Sequence, residues 1–300
     1  MLSVILCTHN PRPDYYAATV DGLRNQSLAF SEWELLIIDN ASASGCEPSV
    51  NLSWHVNARV IREDKLGLTP ARLRGIREAK GELLVFVDDD NVLDPDYLEV
   101  ALRIASDKPF LGSWSGQCRP AFEADPPEWT RRYWGNLAIR EFDKDRWSNL
   151  PRAAETMPCG AGLCVRRPVA EHYVQLHEAG KRSFQFDRTG DSLVSGGDND
   201  LAASACHLGL GVGVVCSLKL VHIIPPERLS VGYLERLAEG IHYSSALLDN
   251  LWGLPVPARS GPRRFVDVLR LTRFRSPHRE IQAACLRGYD RATTFIRLLK

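Results

Sequence analysis

The chain has 300 residues, 44% of them hydrophobic, and a chain of this length can bury enough apolar surface for a complete catalytic domain. Lysines plus arginines equal aspartates plus glutamates at 37 each, so net charge favours neither a nucleic-acid-binding protein nor a general attraction to acidic surfaces. The distribution is uneven, because residues 263–300 carry ten basic side chains and three acidic ones.

The first hundred residues alternate between short β-branched apolar runs and segments with helical periodicity. This order of elements favours a parallel sheet with helices on its faces. The predicted strands are 3–8, 34–39, 59–63 and 83–88, and the predicted helices between them are 14–26 and 70–79. Pro70 suits a first helical position and Gly81 a helix stop. After three consecutive aspartates, Asp94 fits an N-cap, with Pro95 at N1, for a helix that ends near residue 106.

The remaining chain divides into an irregular segment, a second α/β part and a helical end. Residues 112–152 are rich in Trp and Pro and are predicted to be loop, where binding groups are common. Next come a predicted strand over 159–166, a helix opened by Pro168, a helix over 199–207 and a strand over 211–216. Beyond Pro225 and Pro226 the pattern is helical, over 230–251 and 278–299. We therefore expect a domain over 1–226, with halves 1–110 and 111–226, and a helical extension over 227–300.

Polar residues end each predicted strand of the first half, where an open parallel sheet binds its ligands. Asp88, Asp89 and Asp90 end the fourth strand, and three adjacent carboxylates repel one another unless a cation offsets the charge. Residues i and i+2 of an extended segment face the same way, so Asp88 and Asp90 can address one ligand. Oxygen ligands suit Mg²⁺ or Mn²⁺. The pattern favours a metal and diphosphate site over a solvated acidic loop.

Four motifs in this order resemble the nucleotide-binding half of family 2 glycosyltransferases, enzymes of the GT-A fold. They are residues 3–10, 36–42, 67–75, and 79–82 with 84–90. The resemblance implies a Rossmann-like, mostly parallel sheet flanked by helices. It also implies metal-dependent transfer of a sugar, with inversion, from a nucleoside diphosphate sugar to an acceptor hydroxyl. The chain departs from the family at Leu73, where Asn is usual.

The same resemblance implies roles for the strand-end residues. Thr8, His9 and Asp39 would hold the nucleoside, and Arg62 or Arg72 would lie by the phosphates or the base. Asp88 and Asp89 would bind the diphosphate side of the donor.

The predicted metal ligands are Asp90 and His222. Asp90 belongs to the acidic motif, and some GT-A enzymes use a His at the place of His222 as a further ligand. A single His is also common as a packed residue, so this role is a hypothesis.

A looser resemblance covers residues 157–226. Residues 158–167 are similar to the glycine-bearing strand under the acceptor site. Residues 195–201 are similar to the segment Gly-Glu-Asp-x-Asp/Glu-Leu, with Gly197 where Glu is usual. This alignment puts Asp198 at the position of the catalytic base, with Asp200 as the alternative. Asp198 also suits a helix N-cap.

Two features leave alternatives open. The aromatic side chains of the irregular segment suit either sugar stacking or a core: they are Trp114, Trp129, Tyr133, Trp134 and Trp147. The C-terminal arginines suit a solvated helix face by default, then a contact with acidic lipid, or an interface in a homo-oligomer.

The cysteines and the apolar runs bear on location. The eight cysteines form no Cys-x-x-Cys pair and no zinc-finger spacing, which favours reduced thiols and a cytoplasmic protein. Met1 leads into a strand-like run without signal-peptide character, and no apolar run approaches the ~18–20 residues of a membrane span. We expect a soluble protein that at most lies at the inner face of the membrane.

The expected function is therefore glycosyl transfer in polysaccharide or glycoconjugate synthesis, with a UDP-sugar as default donor and Mn²⁺ or Mg²⁺ as cofactor. The acceptor is a glycan, a lipid-linked carrier or a small molecule, and no nucleic acid is expected. A nicotinamide-binding dehydrogenase is disfavoured because residues 7–13 contain no glycine. A nucleotidyltransferase acting on sugar phosphates would need a glycine-rich basic loop there. A non-catalytic carbohydrate-binding or scaffold protein of the same fold is the remaining alternative.

Overall fold

The computed structural model describes residues 1–43, 51–182, 186 and 193–298. The chain forms two compact units. The first comprises residues 1–122, 138–185 and 197–224, and the second comprises residues 123–137, 186–196 and 225–300. The predicted boundary at residue 226 stays a prediction.

The first unit contains the sheet and the helices that cover it. Its strands are β1 (Leu2–Thr8), β2 (Trp33–Asn40), β3 (Ala58–Glu63), β4 (Leu83–Asp88), β5 (Asn91–Leu93), β6 (Leu111–Phe122), β7 (Arg146–Ser148), β8 (Leu163–Arg166) and β9 (Gly211–Ile224). Its helices are α1 (Pro13–Arg24), α2 (Leu68–Glu78), α3 (Tyr97–Asp107), α4 (Arg167–Glu178) and α5 (Gly197–His207), with a 3₁₀ turn at Phe30–Glu32.

The sheet has the strand order β3-β2-β1-β4-β8-β6-β9-β5, with β7 paired to β9. Strands β3, β2, β1 and β4 are parallel to one another. Strand β8 is antiparallel to both β4 and β6, and β9 is parallel to β6, so β6 and β9 run in the direction of β1. Six of the nine described strands thus share one direction. The predicted α/β class with a mostly parallel, helix-flanked sheet is confirmed.

The central strands are buried on both faces. Every residue of β1 and β2 is buried, as are the first five of β4. This is the pattern expected of parallel strands covered by helices on both sides. It explains why continuous Val, Ile and Leu runs, rather than alternating ones, mark these strands in the sequence.

The first half matches the predicted elements closely, but two helix starts are wrong. Helix α2 begins at Leu68, so Pro70 lies inside its first turn instead of at N1. Helix α3 begins at Tyr97 and follows Asp96, so Asp94 is not its N-cap. The Asp94 carboxylate instead accepts a hydrogen bond from Arg119 of β6.

The predicted loop over 112–152 is also wrong. It contains β6, β7 and a 3₁₀ segment at Glu128–Leu137. Strand β6 pairs with both β8 and β9, and its Trp114 is fully buried. The high content of Trp and Pro in the sequence gives no strand pattern for β6, because the strands that bury β6 are distant in the sequence.

Later elements differ mainly in extent. The strand predicted over 159–166 is limited to β8, because residues 161–162 form a turn. The strand predicted over 211–216 continues to Ile224.

The second unit is built from helices. They are α6 (Val231–Leu251), α7 (Gly261–Leu271) and α8 (His278–Leu298), after a 3₁₀ turn at Pro226–Leu229. Helices α6 and α8 pack closely at Gly288, where an added Cβ would lie 2.2 Å from the Glu239 carbonyl oxygen. Helix α7 was not predicted; its N-cap Ser260 accepts a hydrogen bond from the Arg263 amide.

Two negative findings concern the described part of the chain. None of its cysteines takes part in a disulfide bond. None of its helices combines the length and the apolar character needed to cross a membrane.

Candidate active site

The parallel strands place Thr8, Asp39 and Arg62 side by side at one edge of the sheet. Thr8 is in register with Asp39, and Asp39 with Arg62. Arg62 Nη1 lies 2.7 Å from Asp39 Oδ2, and the Ser42 amide donates to Asp39 Oδ1 at 3.1 Å. Burial raises the pKa of Asp39, but the hydrogen bonds from Ser42 and Arg62 outweigh it and leave the pKa lowered. Asp39 is therefore a fixed, ionised acceptor at the strand end.

Asn40 holds the adjoining loop and was not predicted as a site residue. Its side-chain amide donates to the carbonyl oxygens of Glu63 and Lys65, at 3.2 and 2.8 Å, and its Oδ1 accepts from the Gly67 amide at 2.7 Å. Gly67 has φ 134°, a conformation that favours glycine, and directly precedes α2. The sequence signal for Asn40 was its place at the end of a buried strand.

His9 is exposed and held by its neighbours. Its Nδ1 lies 2.6 Å from the Asn40 carbonyl oxygen, so Nδ1 carries the proton. Its Nε2 contacts the Asn10 side-chain amide at 3.0 Å. The ring is thus oriented at the same sheet edge as Thr8 and Asp39.

Thr8 connects this edge to the acidic motif. Its hydroxyl donates to Asp89 Oδ2 at 2.5 Å. The contact joins the ends of β1 and β4, which are neighbours in the sheet.

Asp90 and His222, the two predicted metal ligands, lie together. His222 Nε2 is 3.3 Å from Asp90 Oδ2, and both side chains are only 9% exposed. Strand β5 pairs antiparallel with β9 and sets Asn91 opposite His222. Asn91 also donates its side-chain amide to Asp90 Oδ1 at 2.9 Å. The sequence signal for this contact was the position of Asn91 next to Asp90.

Asp88 lies among charged groups from both halves of the first unit. Burial raises the pKa of its carboxyl, the charge of Arg72 opposes this rise, and the Asp90 charge adds to it. His222 and Asp198 act on the same carboxyl in opposite directions. The structure therefore brings four other predicted residues within electrostatic reach of Asp88.

Asp90 and His222 have the donor atoms that a divalent cation needs. Among residues 1–43, 51–182, 186 and 193–298, no three His, Cys, Asp or Glu side chains are grouped as a metal site. Asp90 and His222 provide two converging, nearly buried donors. Mg²⁺ and similar ions are commonly held by one or two side chains, with substrate phosphates and water completing the shell. The residues fit an ion of that kind.

Gly160 lies between Arg72 and Asp198. Its amide donates to Asp198 Oδ2 at 2.7 Å. A Cβ on Gly160 would lie 3.0 Å from Arg72 Nη2 and 3.1 Å from Asp198 Oδ2. Glycine at this position leaves room for both the buried cation and the carboxylate. Helix α5 begins at Gly197, so Asp198 lies in its first turn and was wrongly placed as an N-cap.

Asp200, the alternative base, has different surroundings. Its side chain is completely buried, and Arg182 Nε lies 2.7 Å from its Oδ2. Asp198, in contrast, is partly exposed. Of these two carboxylates, Asp198 is the accessible one, and it lies with Arg72 beside Gly160.

Most of the aromatic candidates have structural contacts. Trp114 belongs to the hydrophobic core, which overturns its suggested acceptor role. In the second unit the Tyr133 hydroxyl lies 2.8 Å from His278 Nδ1, and Trp134 Nε1 donates to Thr130 Oγ1 at 3.2 Å. Trp147 is 56% exposed and packs against Phe110 at a ring distance of 4.8 Å.

Comparison with known families settles what kind of protein carries this site. Residues 3–172 match the model of the family described as glycosyl transferase family 2. The chain belongs to this family. The matched segment contains the sheet edge, the acidic motif and Gly160, whereas Arg182, Asp198 and His222 lie beyond it.

Individual curated proteins are similar to part of the chain. A protein named EpsH from Bacillus subtilis (strain 168), described as a candidate glycosyltransferase, is 30% identical over 109 residues, 36% of this chain and 31% of its own. Human polypeptide N-acetylgalactosaminyltransferase 15 is 28% identical over 236 residues, 74% of this chain and 35% of its own. The chain thus spans about a third of the length of these curated relatives.

A solved structure shares the fold of this chain. The crystal structure of residues 1–349 of S. aureus TarS aligns with a TM-score of 0.52 and 14% identity, covering 100% of this chain and 92% of that one. At this identity the likeness concerns the fold alone.

Proposed function

We propose that this family 2 member transfers a glycosyl group from a nucleoside diphosphate sugar to an acceptor hydroxyl, with inversion. One observation carries the proposal: beside Asp88, Asp90 lies 3.3 Å from His222, and Arg72 and Asp198 both lie next to Gly160. Such a cluster provides both a cationic side for a leaving diphosphate and a carboxylate for the attacking group. The family match covers the donor part of this cluster.

The donor nucleoside is assigned to the edge formed by Thr8, His9 and Asp39. The Asp39 carboxylate, held by Arg62 and Ser42, is a ready acceptor for N–H or O–H groups of a base or ribose. The N-terminus of α2 follows Gly67 close to this edge and favours negatively charged phosphates. A UDP-sugar is the default donor, on the grounds of the family resemblance.

Asp90 and His222 are assigned to Mn²⁺ or Mg²⁺. When bound, such an ion would offset the negative charge that develops on the leaving nucleoside diphosphate. The chain adds its own cation at the same place, because Arg72 is 4% exposed and lies beside Asp88. A preorganised buried charge of this kind favours the transition state over the ground state.

Asp198 is assigned as the general base. The acceptor oxygen attacks the anomeric carbon, the bond from that carbon to the diphosphate oxygen breaks, and the hydroxyl proton passes to the Asp198 carboxylate. The Gly160 amide fixes one carboxylate oxygen at 2.7 Å. One base and one displacement give inversion. Asp200 is disfavoured by its complete burial and its ion pair with Arg182.

Thermal shift with a panel of UDP, GDP, dTDP and CMP, each with and without Mn²⁺, tests the proposal. A ligand at a hundred times its dissociation constant raises stability by roughly 2.7 kcal/mol. We expect one nucleotide to stabilise the protein strongly, and more so with Mn²⁺. No metal-dependent nucleotide effect at all would overturn the donor assignment.

Three variants and one control separate the parts of the site. D90N and H222N should lose the metal-dependent part of the nucleotide shift, whereas D14N should keep it, because Asp14 lies on the surface with a side chain 59% exposed. D198N should keep the full shift but lose transfer of sugar from donor to water or acceptor by about 10²–10⁴-fold. Nucleotide binding with no turnover in the unsubstituted chain would instead support a non-catalytic protein.

A further inference from the structure

Helix α7 exposes its apolar residues. Phe265 is 65% exposed, Val266 42%, Val268 58% and Leu269 51%. No residue of this eleven-residue helix is buried. Surface helices of globular proteins normally turn such side chains toward the core.

The polar side of α7 faces inward instead. Asp267 is only 12% exposed and lies 2.8 Å from Arg259, which also contacts Asp290 of α8. With 100° per residue, Phe265 and Leu269 lie about 160° to 200° around the helix from Asp267. The most apolar line of α7 is therefore the one directed away from α8.

Arginines border this apolar face. Arg264 and Arg270 are 58% and 68% exposed, and each lies about 60° from Asp267 on opposite sides of the helix. Their guanidinium groups lie 3.7 Å from Asp290 and 3.8 Å from Asp267, respectively. Two more, Arg273 and Arg275, are exposed just beyond the end of α7. Asp267 is the one acidic residue between positions 261 and 279, and it is turned inward.

We propose that α7 binds the surface of a membrane containing anionic lipids, with Phe265 and Leu269 inserted among the acyl chains. An apolar face bordered by arginines is the arrangement of helices that lie in the membrane interface. The guanidinium groups of Arg273 and Arg275 reach the headgroups, while the alkyl stems of Arg264 and Arg270 cover the apolar boundary. This charge pattern favours anionic lipid over an apolar groove of another protein, because such a groove offers the arginines no negative charges.

The inference is independent of the transferase reaction, because it rests on α7 and the two arginines that follow it. Among the roles that the sequence leaves open for the C-terminal arginines, it selects the contact with acidic lipid for those in and just after α7. In α8, Arg287 and Arg291 pair with Glu239 of α6. For the arginines of this helix we keep the alternative of a solvated face.

Vesicle co-sedimentation of the full chain tests the proposal. The probe is phosphatidylcholine vesicles with and without phosphatidylglycerol. We expect binding to the mixed vesicles, weakened by salt, and at least tenfold weaker binding to phosphatidylcholine alone. F265A/L269A should lower the affinity for mixed vesicles by at least tenfold. R273Q/R275Q should lower it by roughly fivefold per arginine.

Controls keep the result interpretable. V56A removes an apolar side chain that is 87% exposed outside α7, and it should leave vesicle binding unchanged. All the substituted side chains are exposed, so the variants should unfold at the same temperature as the parent. Measurement of this temperature excludes misfolding as the cause of weaker binding. Equal binding to both vesicle types, or no binding to either, would overturn the proposal. So would a concentration-dependent dimer that F265A/L269A abolishes in the absence of vesicle binding, since α7 would then contact a second copy.

Discussion

Arg182 and Asp200 form a buried ion pair, with Arg182 Nε 2.7 Å from Asp200 Oδ2 and side chains 5% and 0% exposed. Asp200 lies two residues after Asp198 in α5, yet the two carboxylates have different environments. A buried ion pair holds its members in place, because separating them leaves a charge in a poorly solvated site. Asp200 is therefore a structural acid and Asp198 the accessible one.

Removal of the Arg182 charge should destabilise the first unit. R182M leaves Asp200 buried without this cation, and such a change costs about 3–5 kcal/mol in the free energy of unfolding. Chemical denaturation measures the effect. The double variant R182M/D200N should recover part of the loss, since no carboxylate charge then remains to be buried. A loss below about 1 kcal/mol for R182M would contradict the assignment.

Loosening the Asp39–Arg62 pair should weaken donor binding without unfolding the protein. D39N keeps the size of the side chain but removes the charge that Arg62 and the Ser42 amide hold in place. Loss of one charged hydrogen bond to the nucleoside should raise the dissociation constant of the preferred nucleotide by roughly tenfold or more.

Isothermal titration calorimetry measures this change in affinity. D14N is the matched control, because Asp14 also pairs with an arginine, Arg12, but both side chains are about half exposed. Equal affinities of D39N and the parent would remove Asp39 from the donor site.

The first half of the sheet and its edge could be predicted because local signals agree there. Uninterrupted apolar runs mark strands buried on both faces, and their ends are polar. Strand order then brings Thr8, Asp39 and Arg62 together without further information.

The later half depends on contacts that no local pattern encodes. Strand β6 is defined by pairing with β8 and β9, about fifty and a hundred residues away. The sequence pattern favoured Asp94 as the cap of α3, whereas in the structure the helix follows Asp96 and the Asp94 carboxylate accepts a hydrogen bond from Arg119 of the distant strand β6. Likewise Arg182 belongs to no motif, so its pairing with Asp200 was not predictable.

Stability should decrease as the pH falls below neutral, in part because of His177. Burial, then the charges of Arg182, Arg77 and Lys65, lower the pKa of His177 from 6.5 to about 4. In the unfolded chain this histidine takes up a proton near pH 6.5, while in the folded protein it stays neutral until about pH 4. The unfolded state therefore gains relative stability as the pH falls from about 7 to 4.

Urea denaturation at several pH values measures this dependence. For this partly exposed group we expect a contribution of about 1 kcal/mol after allowing for solvent screening. H177Q should flatten the profile between pH 7 and 4 by that amount. Part of the slope should remain, because burial also lowers the pKa of His172 and His207. An unchanged slope in H177Q would contradict the prediction.

Substitution of Gly160 should lower the turnover of the protein more than its stability. In G160A the new Cβ would lie 3.0 Å from Arg72 Nη2 and 3.1 Å from Asp198 Oδ2, tighter than ordinary contacts. Both atoms end side chains that can move by a few tenths of an ångström, so the free energy of unfolding should fall by only about 1 kcal/mol. The same displacement moves the proposed base and the buried cation from their positions. Turnover should then fall by at least tenfold with little change in nucleotide affinity, because misplacement by about 1 Å can cost 10²-fold.

G135A is the control, since a Cβ there meets no atom within 4 Å among the described residues. Parent-like turnover in G160A would show that the close approach of Arg72 and Asp198 is not needed for the reaction.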